Sequence, residues 1–392
     1  MKTTCSRLHF GDIHIKHIVV ISTSFPTNGT GSEAAGSFVA DFCEQLSKTC
    51  KVTVFAPNTV ANEIVHSDQF RIVFFKVPTL PLSNLKPTNP ADLLAILKTL
   101  LSGRRIIRQF AEKEKIDHLF GLWVLPSGYW AKNIAGSLNI SYSTWALGSD
   151  IWSLKNIPLV RQYLAHVLKK ARVNFADGLQ LLEDVKSLSG KDCRFLPSTR
   201  QLGEIPEKKM KKKGPYKLAY LGRWHQNKGV DILLEALRKL NSADWQLIDE
   251  IIVAGGGPLN DIVEENIAFL ARDGRPVKRL GYLDKDAAKE LLLWADFVFI
   301  PSRIESIPVI FSDAIKCQCG IISMPVGDIP EMFSMHEVGV LAENIDAISF
   351  ADAIKKAIRS DCSEFGQAID ESRKIFELDH IVQSFLDQIN TR

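Results

Sequence analysis

Short apolar runs alternate with longer stretches of helical period along the whole chain. HIVVIS (17–22) is a continuous apolar run of strand length, followed by a turn-rich segment, FPTNGTGS, and then by EAAGSFVADFCEQLSK, whose apolar positions recur at helical spacing. KVTVFAP (51–57) is a second strand, so these elements predict a strand–helix–strand unit. HLFGLW (118–123) and SYSTWA (141–146) continue the pattern with a helix between them. The pattern breaks over 198–216, STRQLGEIPEKKMKKKGPY, which is polar, holds two prolines and places five lysines within 208–213. That composition predicts an interdomain linker or exposed loop. A second α/β series then begins. KLAYLG (217–222), DEIIVAGGGP (249–258), FVFIPS (297–302) and GIISMP (320–325) predict buried strands, and GVDILLEALRKL (229–240) predicts a helix. The last segment, FGQAIDESRKIFELDHIVQSFLDQI, has helical period.

The expected fold class is therefore α/β, with two Rossmann-like domains facing each other. The expected boundaries are 1–200, a linker at 201–215, 216–365, and a helical segment at 366–392. A chain of 392 residues is long enough for two cores. With 46% hydrophobic and 24% charged residues it reads as a soluble globular protein. A net charge of +3 is too small to argue for nucleic acid. Seven cysteines without regular spacing fit reduced thiols in a cytosolic protein. Cys317 and Cys319 lack the second Cys or His pair that a zinc site needs. The N-terminus shows no secretory signal pattern, and no apolar run has the length of a membrane span. The expected location is cytoplasmic, with peripheral contact at the inner face of a membrane as an addition.

Candidate chemistry lies at the ends of the second set of strands. Arg223 and Lys228 fall in the loop between KLAYLG and the next helix, where ligands of open α/β sheets bind. A planar guanidinium and a mobile ammonium five residues apart suit a diphosphate; two solvated surface cations are the plainer reading. VAGGGPLND (253–261) puts Gly256 and Gly257 after a strand, where glycine allows a ligand close to the backbone or simply makes a turn. In PSRIESIPVIFSDAIKCQCG (301–320), Pro308 fits the first turn of a helix. The N–H groups near Ile307 and Val309 are then candidate phosphate donors. Glu305 lies outside that helix and Asp313 eight residues further on. At helical rise, eight residues span roughly 12 Å, the scale of a nucleotide sugar. One acid then reaches sugar hydroxyls and the other a ribose diol. The plainer reading is a first-turn acid and a salt-bridged helical Asp.

LGRWHQNKGVDILLEAL, VAGGGP, RLGYL (279–283) and PSRIESIPVIFSDAIKCQCGIISMPVGDIPEM occur in this order. Together they resemble the C-terminal domain of the family 4 retaining glycosyltransferases, which have the GT-B fold. The resemblance covers roughly residues 217–332; STSFPTNGTGSEAAGSFVADFCEQLSK and STWALGSDIW extend it more loosely into the first half. It implies that Arg223 and Lys228 bind the donor diphosphate, that Glu305 contacts the donor sugar and that Asp313 holds the ribose. It also implies transfer with retention from a nucleoside diphosphate sugar, without a metal or other cofactor, to a glycan or lipid-linked acceptor. A role in polysaccharide biosynthesis goes with the family. Asp313 stands where the family usually has Glu, and Leu147 where many relatives carry a His, leaving Ser149 or Asp150 as substitutes near the sugar. The Gly29–Gly31 loop is expected to face the donor across the cleft, with Gly31 beside the phosphates and Glu33 opening the next helix.

Acceptor binding is expected in the N-terminal domain. Two segments there, 93–115 and 159–173, are amphipathic and basic on one side. Ordinary packed surface helices are the first reading and contact with an anionic membrane the second. Three other functions share parts of the pattern. A dehydrogenase requires a G-x-G-x-x-G fingerprint that TSFPTNGTGSEAAG does not supply. A non-catalytic sugar-nucleotide sensor or an epimerase of the same build differs from the transferase in turnover or in needing no acceptor.

Overall fold

The computed structural model describes residues 15–26, 36–80, 82, 85–86 and 88–391. Its strands form two sheets. The first holds β1 (His17–Ser22), β2 (Lys51–Asn58), β3 (Asn62–Ser67), β4 (Phe70–Lys76), β5 (His118–Leu122), β6 (Ser141–Ala146), β7 (Asn174–Ala176) and β8 (Cys193–Phe195). Their spatial order is β3-β4-β2-β1-β5-β6-β7-β8. The second sheet holds β9 (Tyr216–Arg223), β10 (Ile248–Gly256), β11 (Val277–Leu280), β12 (Phe297–Ile300), β13 (Gly320–Ser323) and β14 (Gly339–Leu341), in the order β11-β10-β9-β12-β13-β14. Neighbours are parallel except β3, which pairs antiparallel with β4. The central strands are buried along their length, as both-face burial requires of parallel strands with helices on each side.

Both sheets reverse direction next to their first strand. β1 lies between β2 and β5, and β9 between β10 and β12. The chain leaves β9 on one side and returns through β12 on the other, which opens a crevice at the carboxyl ends of that pair.

In the first domain α2 (Pro90–Ala111), α3 (Tyr129–Leu138), α5 (Pro158–Lys170) and α6 (Leu179–Ser189) cover one face of the sheet, around Ile107, Trp130, Val167 and Leu181. A single turn, α4 (Ser149–Trp152), precedes α5. The other face is covered by α1 (Ser37–Ser47) and by the last helix of the chain, Leu378–Asn390. Phe385 of that helix sits 4.4 Å from Phe120 and 5.3 Å from Phe175, ring centre to ring centre. The 366–392 segment is thus divided. Ile369 and Phe376 join the core of the second domain, while Leu378 to Ile389 pack on the first.

No helix among the described residues is long and apolar enough to cross a membrane. The six described cysteines are free and buried, and no group of three metal-ligating side chains occurs among the described residues.

Candidate active site

The crevice at β9 and β12 gathers three of the side chains singled out in the sequence. Arg223 is the exposed last residue of β9 and joins no ion pair among the described residues. Five residues on, the Lys228 ammonium meets the Glu305 carboxylate, which also accepts from Ser302 Oγ at 2.9 Å. The short loop carrying Lys228 is fixed from three directions. His225 caps its 3-10 turn by accepting from the Asn227 N–H at 3.2 Å. Gly229, at φ +67°, lies against Pro301, where an added Cβ would come within 1.8 Å of the carbonyl oxygen. Arg303 forks onto Asp231 at 2.8 and 2.6 Å and donates to the Gln226 carbonyl at 2.6 Å. Burial pushes the Asp231 carboxyl up, but the Arg303 fork overrides this and holds it below the usual carboxylate range. Arg303 thus ties the loop after β12 to the loop after β9, and so places Glu305 beside Lys228. Neither Arg303 nor Asp231 stands out in the sequence, because their pairing crosses 72 residues.

Pro308 is the N-cap, not the first helical residue, and the helix α7 (Val309–Lys316) begins one position later than the sequence pattern predicts. Val309 therefore supplies a first-turn N–H, while Ile307 stays outside the helix with a buried side chain. Gly255, Gly256 and Gly257 follow from packing. Gly257 (φ +147°) lies so close to the Trp224 backbone that a Cβ would fall 2.7 Å from its carbonyl oxygen, and one on Gly256 would strike the Tyr282 ring. The Trp224 N–H donates to the Gly256 carbonyl at 2.8 Å, so this turn holds the start of the Arg223 loop.

Asp313 is placed apart from this group. It is 0% exposed, and its carboxylate takes a fork from Arg200, with Nε at 2.7 Å. Arg200 belongs to the segment between the sheets. Its neighbour Thr199 bonds Ser312 at 3.2 Å, and Lys316 donates to Thr199 Oγ1 at 2.5 Å and to the Arg200 carbonyl at 2.6 Å. The second Asp313 oxygen is buried with no hydrogen-bond partner among the described residues. In this arrangement the acid is an interdomain ion pair.

Residues 215–360 match the family Glycosyl transferases group 1. The matched segment includes Arg223, Lys228, Glu305 and Asp313. Two similar curated proteins are the putative teichuronic acid biosynthesis glycosyltransferase TuaC of Bacillus subtilis and the D-inositol 3-phosphate glycosyltransferase of Corynebacterium diphtheriae. The first is 26% identical over 251 residues, 61% of each chain; the second is 29% identical over 147 residues, 37% of this chain and 34% of that one. The matched segments thus span less than two thirds of either relative. Sucrose-phosphate synthase from Thermosynechococcus elongatus shares the fold, with a TM-score of 0.70 and 17% identity over 94% of this chain and 97% of that one. Anabaena Alr3699/HepE in complex with UDP and glucose shares it with a TM-score of 0.67 and 15% identity over 96% and 99%. The architecture is that of these GT-B glycosyltransferase structures.

Opposite the matched segment, the first domain brings Asp150, singled out in the sequence, and Asp177, which was not. Asp150 does not project freely beside Leu147. Its carboxylate accepts the Val124 N–H at 2.6 Å and the Leu147 N–H at 3.1 Å, which ties the loops after β5 and β6 together. Burial raises its pKa to about 6 against the pull of those N–H groups. Leu147 packs against the first domain's core. Asp177 follows β7, and burial, with Asp150, Asp328 and Glu305 nearby, raises its pKa to about 8. From the second domain, Asp328 caps α6 across the interface by accepting the Leu179 and Gln180 N–H groups at 2.7 and 2.8 Å. Gly178 permits this approach, since a Cβ there would meet the Asp328 and Ser306 side chains near 2 Å. Gly29, Gly31 and Glu33 lie outside the described residues.

Proposed function

We propose that this protein is a retaining glycosyltransferase that moves a sugar from a nucleoside diphosphate sugar to a hydroxyl of a glycan or lipid-linked acceptor. The observation that carries the reading is the grouping of Arg223, Lys228 and Glu305 at the switch point between β9 and β12, inside the matched family domain. Arg223 is exposed and joins no ion pair among the described residues, and Lys228 is partly exposed, so both are open to a diphosphate. Glu305 holds Lys228 while the donor is absent and turns to sugar hydroxyls when phosphate takes the ammonium. The Val309 N–H, at the start of α7, adds a backbone donor on the phosphate side.

In the transfer, the bond from the anomeric carbon to the donor phosphate oxygen breaks and a bond to the acceptor oxygen forms on the same face. The acceptor proton passes to the departing phosphate oxygen. Arg223 and Lys228 neutralise the charge that develops on the diphosphate, the role a metal ion would otherwise fill. Asp150 and Asp177 are buried at the ends of the first domain's strands, with Glu305 near Asp177. Asp313 reaches a ribose only if Arg200 lets go, so ribose binding by this acid is coupled to movement of the interdomain segment. A uridine donor is the first to test, because HepE shares the fold and is described with UDP and glucose. A thermal shift with UDP, GDP and ADP on wild type and Arg223→Ala tests the site. Stabilisation by one nucleotide, absent in the variant, supports it; no stabilisation by any of the three removes the donor site and the transferase reading with it.

A further inference from the structure

The helices α2, α3 and α5 form one layer on the first sheet, and their outward side differs from an ordinary packed surface. Leu93, Leu94, Leu97 and Leu101 of α2 remain 44, 53, 49 and 64% exposed. The reason is an overhang. Ser102 Oγ donates to the Lys76 carbonyl at the end of β4, so the part of α2 before Ser102 extends past the sheet's carboxyl edge. Twelve residues at helical rise reach about 18 Å beyond it. α5 starts at the same edge, and there Ile157 and Leu159 are 46 and 80% exposed. Six large apolar side chains are thus spread along the crevice-side edge of one layer.

Charge runs strongly one way on the same helices. α2 carries Lys98, Arg104, Arg105 and Arg108, α3 carries Lys132, and α5 carries Arg161, Lys169 and Lys170, which makes eight cations. The only acid within these three helices is Asp92, and its carboxylate is spent on the Lys86 N–H at 3.0 Å. Toward the amino ends of the strands, between α3 and α5, lies a cavity of about 610 Å³ lined by Lys132, His166, Lys170 and Arg172, with no acid in its lining. The Arg172 Nε is buried with no hydrogen-bond partner among the described residues, while its Nη2 donates to the Thr391 carbonyl at 2.8 Å.

We propose that the outer side of the α2–α3–α5 layer docks on an anionic lipid bilayer. The overhanging leucines with Ile157 and Leu159 enter the interface, the cations meet lipid headgroups, and the basic cavity takes a headgroup phosphate. A cluster of exposed leucines favours any apolar partner. Arg108 is paired with Glu112 just past α2 at 2.7 Å, and the seven cations that remain, against one engaged acid, select an anionic surface and disfavour a second copy of the same basic face. Docking by this edge holds the mouth of the crevice at the membrane, where a lipid-linked hydroxyl is presented.

The test is co-flotation of the full chain with vesicles, read without any sugar donor, so that it stands apart from the donor site. Vesicles of phosphatidylcholine with about 30 mol% phosphatidylglycerol are compared with pure phosphatidylcholine. Wild type should float with the anionic vesicles only. Leu97→Asp with Leu101→Asp, and separately Arg104→Gln with Arg105→Gln, should each weaken binding by about tenfold or more. All these positions are exposed, so an unchanged melting temperature verifies the fold. The proposal is overturned if wild type does not float with anionic vesicles, if it floats equally with neutral ones, or if both double variants bind as wild type does. It is equally overturned if wild type is a dimer that the leucine variant dissolves.

Discussion

The two domains build their sides of the crevice in different ways. In the second domain every element of the candidate site lies a few residues beyond a strand: Arg223 ends β9, Lys228 follows five residues later, and Glu305 comes five residues after β12. The local chain delivers these groups, helped by one glycine and one arginine fork. In the first domain and the segment leaving it, the contributions are buried and long-range. Arg200 meets Asp313 across 113 residues, and α6 takes its cap from Asp328 across 149. The first arrangement gives chemistry that is exposed and replaceable. The second sets how the domains sit against each other.

Breaking a long-range contact should therefore cost more stability than breaking a local one. Arg200→Met leaves Asp313 buried without its guanidinium, and about 3–5 kcal/mol should be lost in a urea titration. A loss below about 1 kcal/mol would show that Lys316 or water replaces the pair. On the local side, Gly229→Ala and Gly274→Ala make a matched pair, at φ +67° and +71°. Gly274 has open space around its Cβ position, so alanine there carries only the left-handed backbone cost of about 1–2 kcal/mol. Gly229→Ala also pushes against Pro301 and should lose more, together with nucleotide affinity. Equal losses would mean that the contact with Pro301 relaxes freely.

The same contrast explains what was legible in the sequence. The strands HIVVIS and SYSTWA appear with the predicted bounds, because a continuous apolar run between turn signals has few alternatives. β3 and β4 escaped notice: β3 is almost wholly exposed and offers no apolar run. β7, β8 and β14 are three residues each, too short to carry a period. Lys228 and Glu305 were legible as charges near strand ends, and their direct pairing was not, since it depends on Arg303 and Gly229 closing two loops together. Asp313 shows the limit most clearly. Its spacing from Glu305 suggests a ligand acid, while its burial and its pairing with Arg200 depend on the segment between the sheets, 113 residues away along the chain. The amphipathic period of α2 was also visible, but its exposed leucines follow from the overhang past β4, which only the assembled sheet defines.

A smaller effect comes from Asp177. Its folded pKa of about 8 lies above the ordinary carboxylate value of 3.8, so the folded state holds the proton more tightly than the unfolded chain. The stability tied to that proton is complete below the unfolded value and is lost as pH rises through the folded value. Asp177→Asn removes the titration. Its melting temperature relative to wild type should rise between pH 6 and pH 9, the window around the folded pKa of about 8. A constant offset would place the proton elsewhere.

The most direct test of the donor site is a calorimetric titration of UDP into wild type, Lys228→Ala and Glu305→Gln. Glu305 and the diphosphate compete for one ammonium, so the two variants should move affinity in opposite directions. Lys228→Ala should weaken binding by about tenfold, the loss of one charge-assisted hydrogen bond. Glu305→Gln should strengthen it by about two- to fivefold, the scale of a partly exposed ion pair released. Weakening in both variants, or no change in either, would contradict the account.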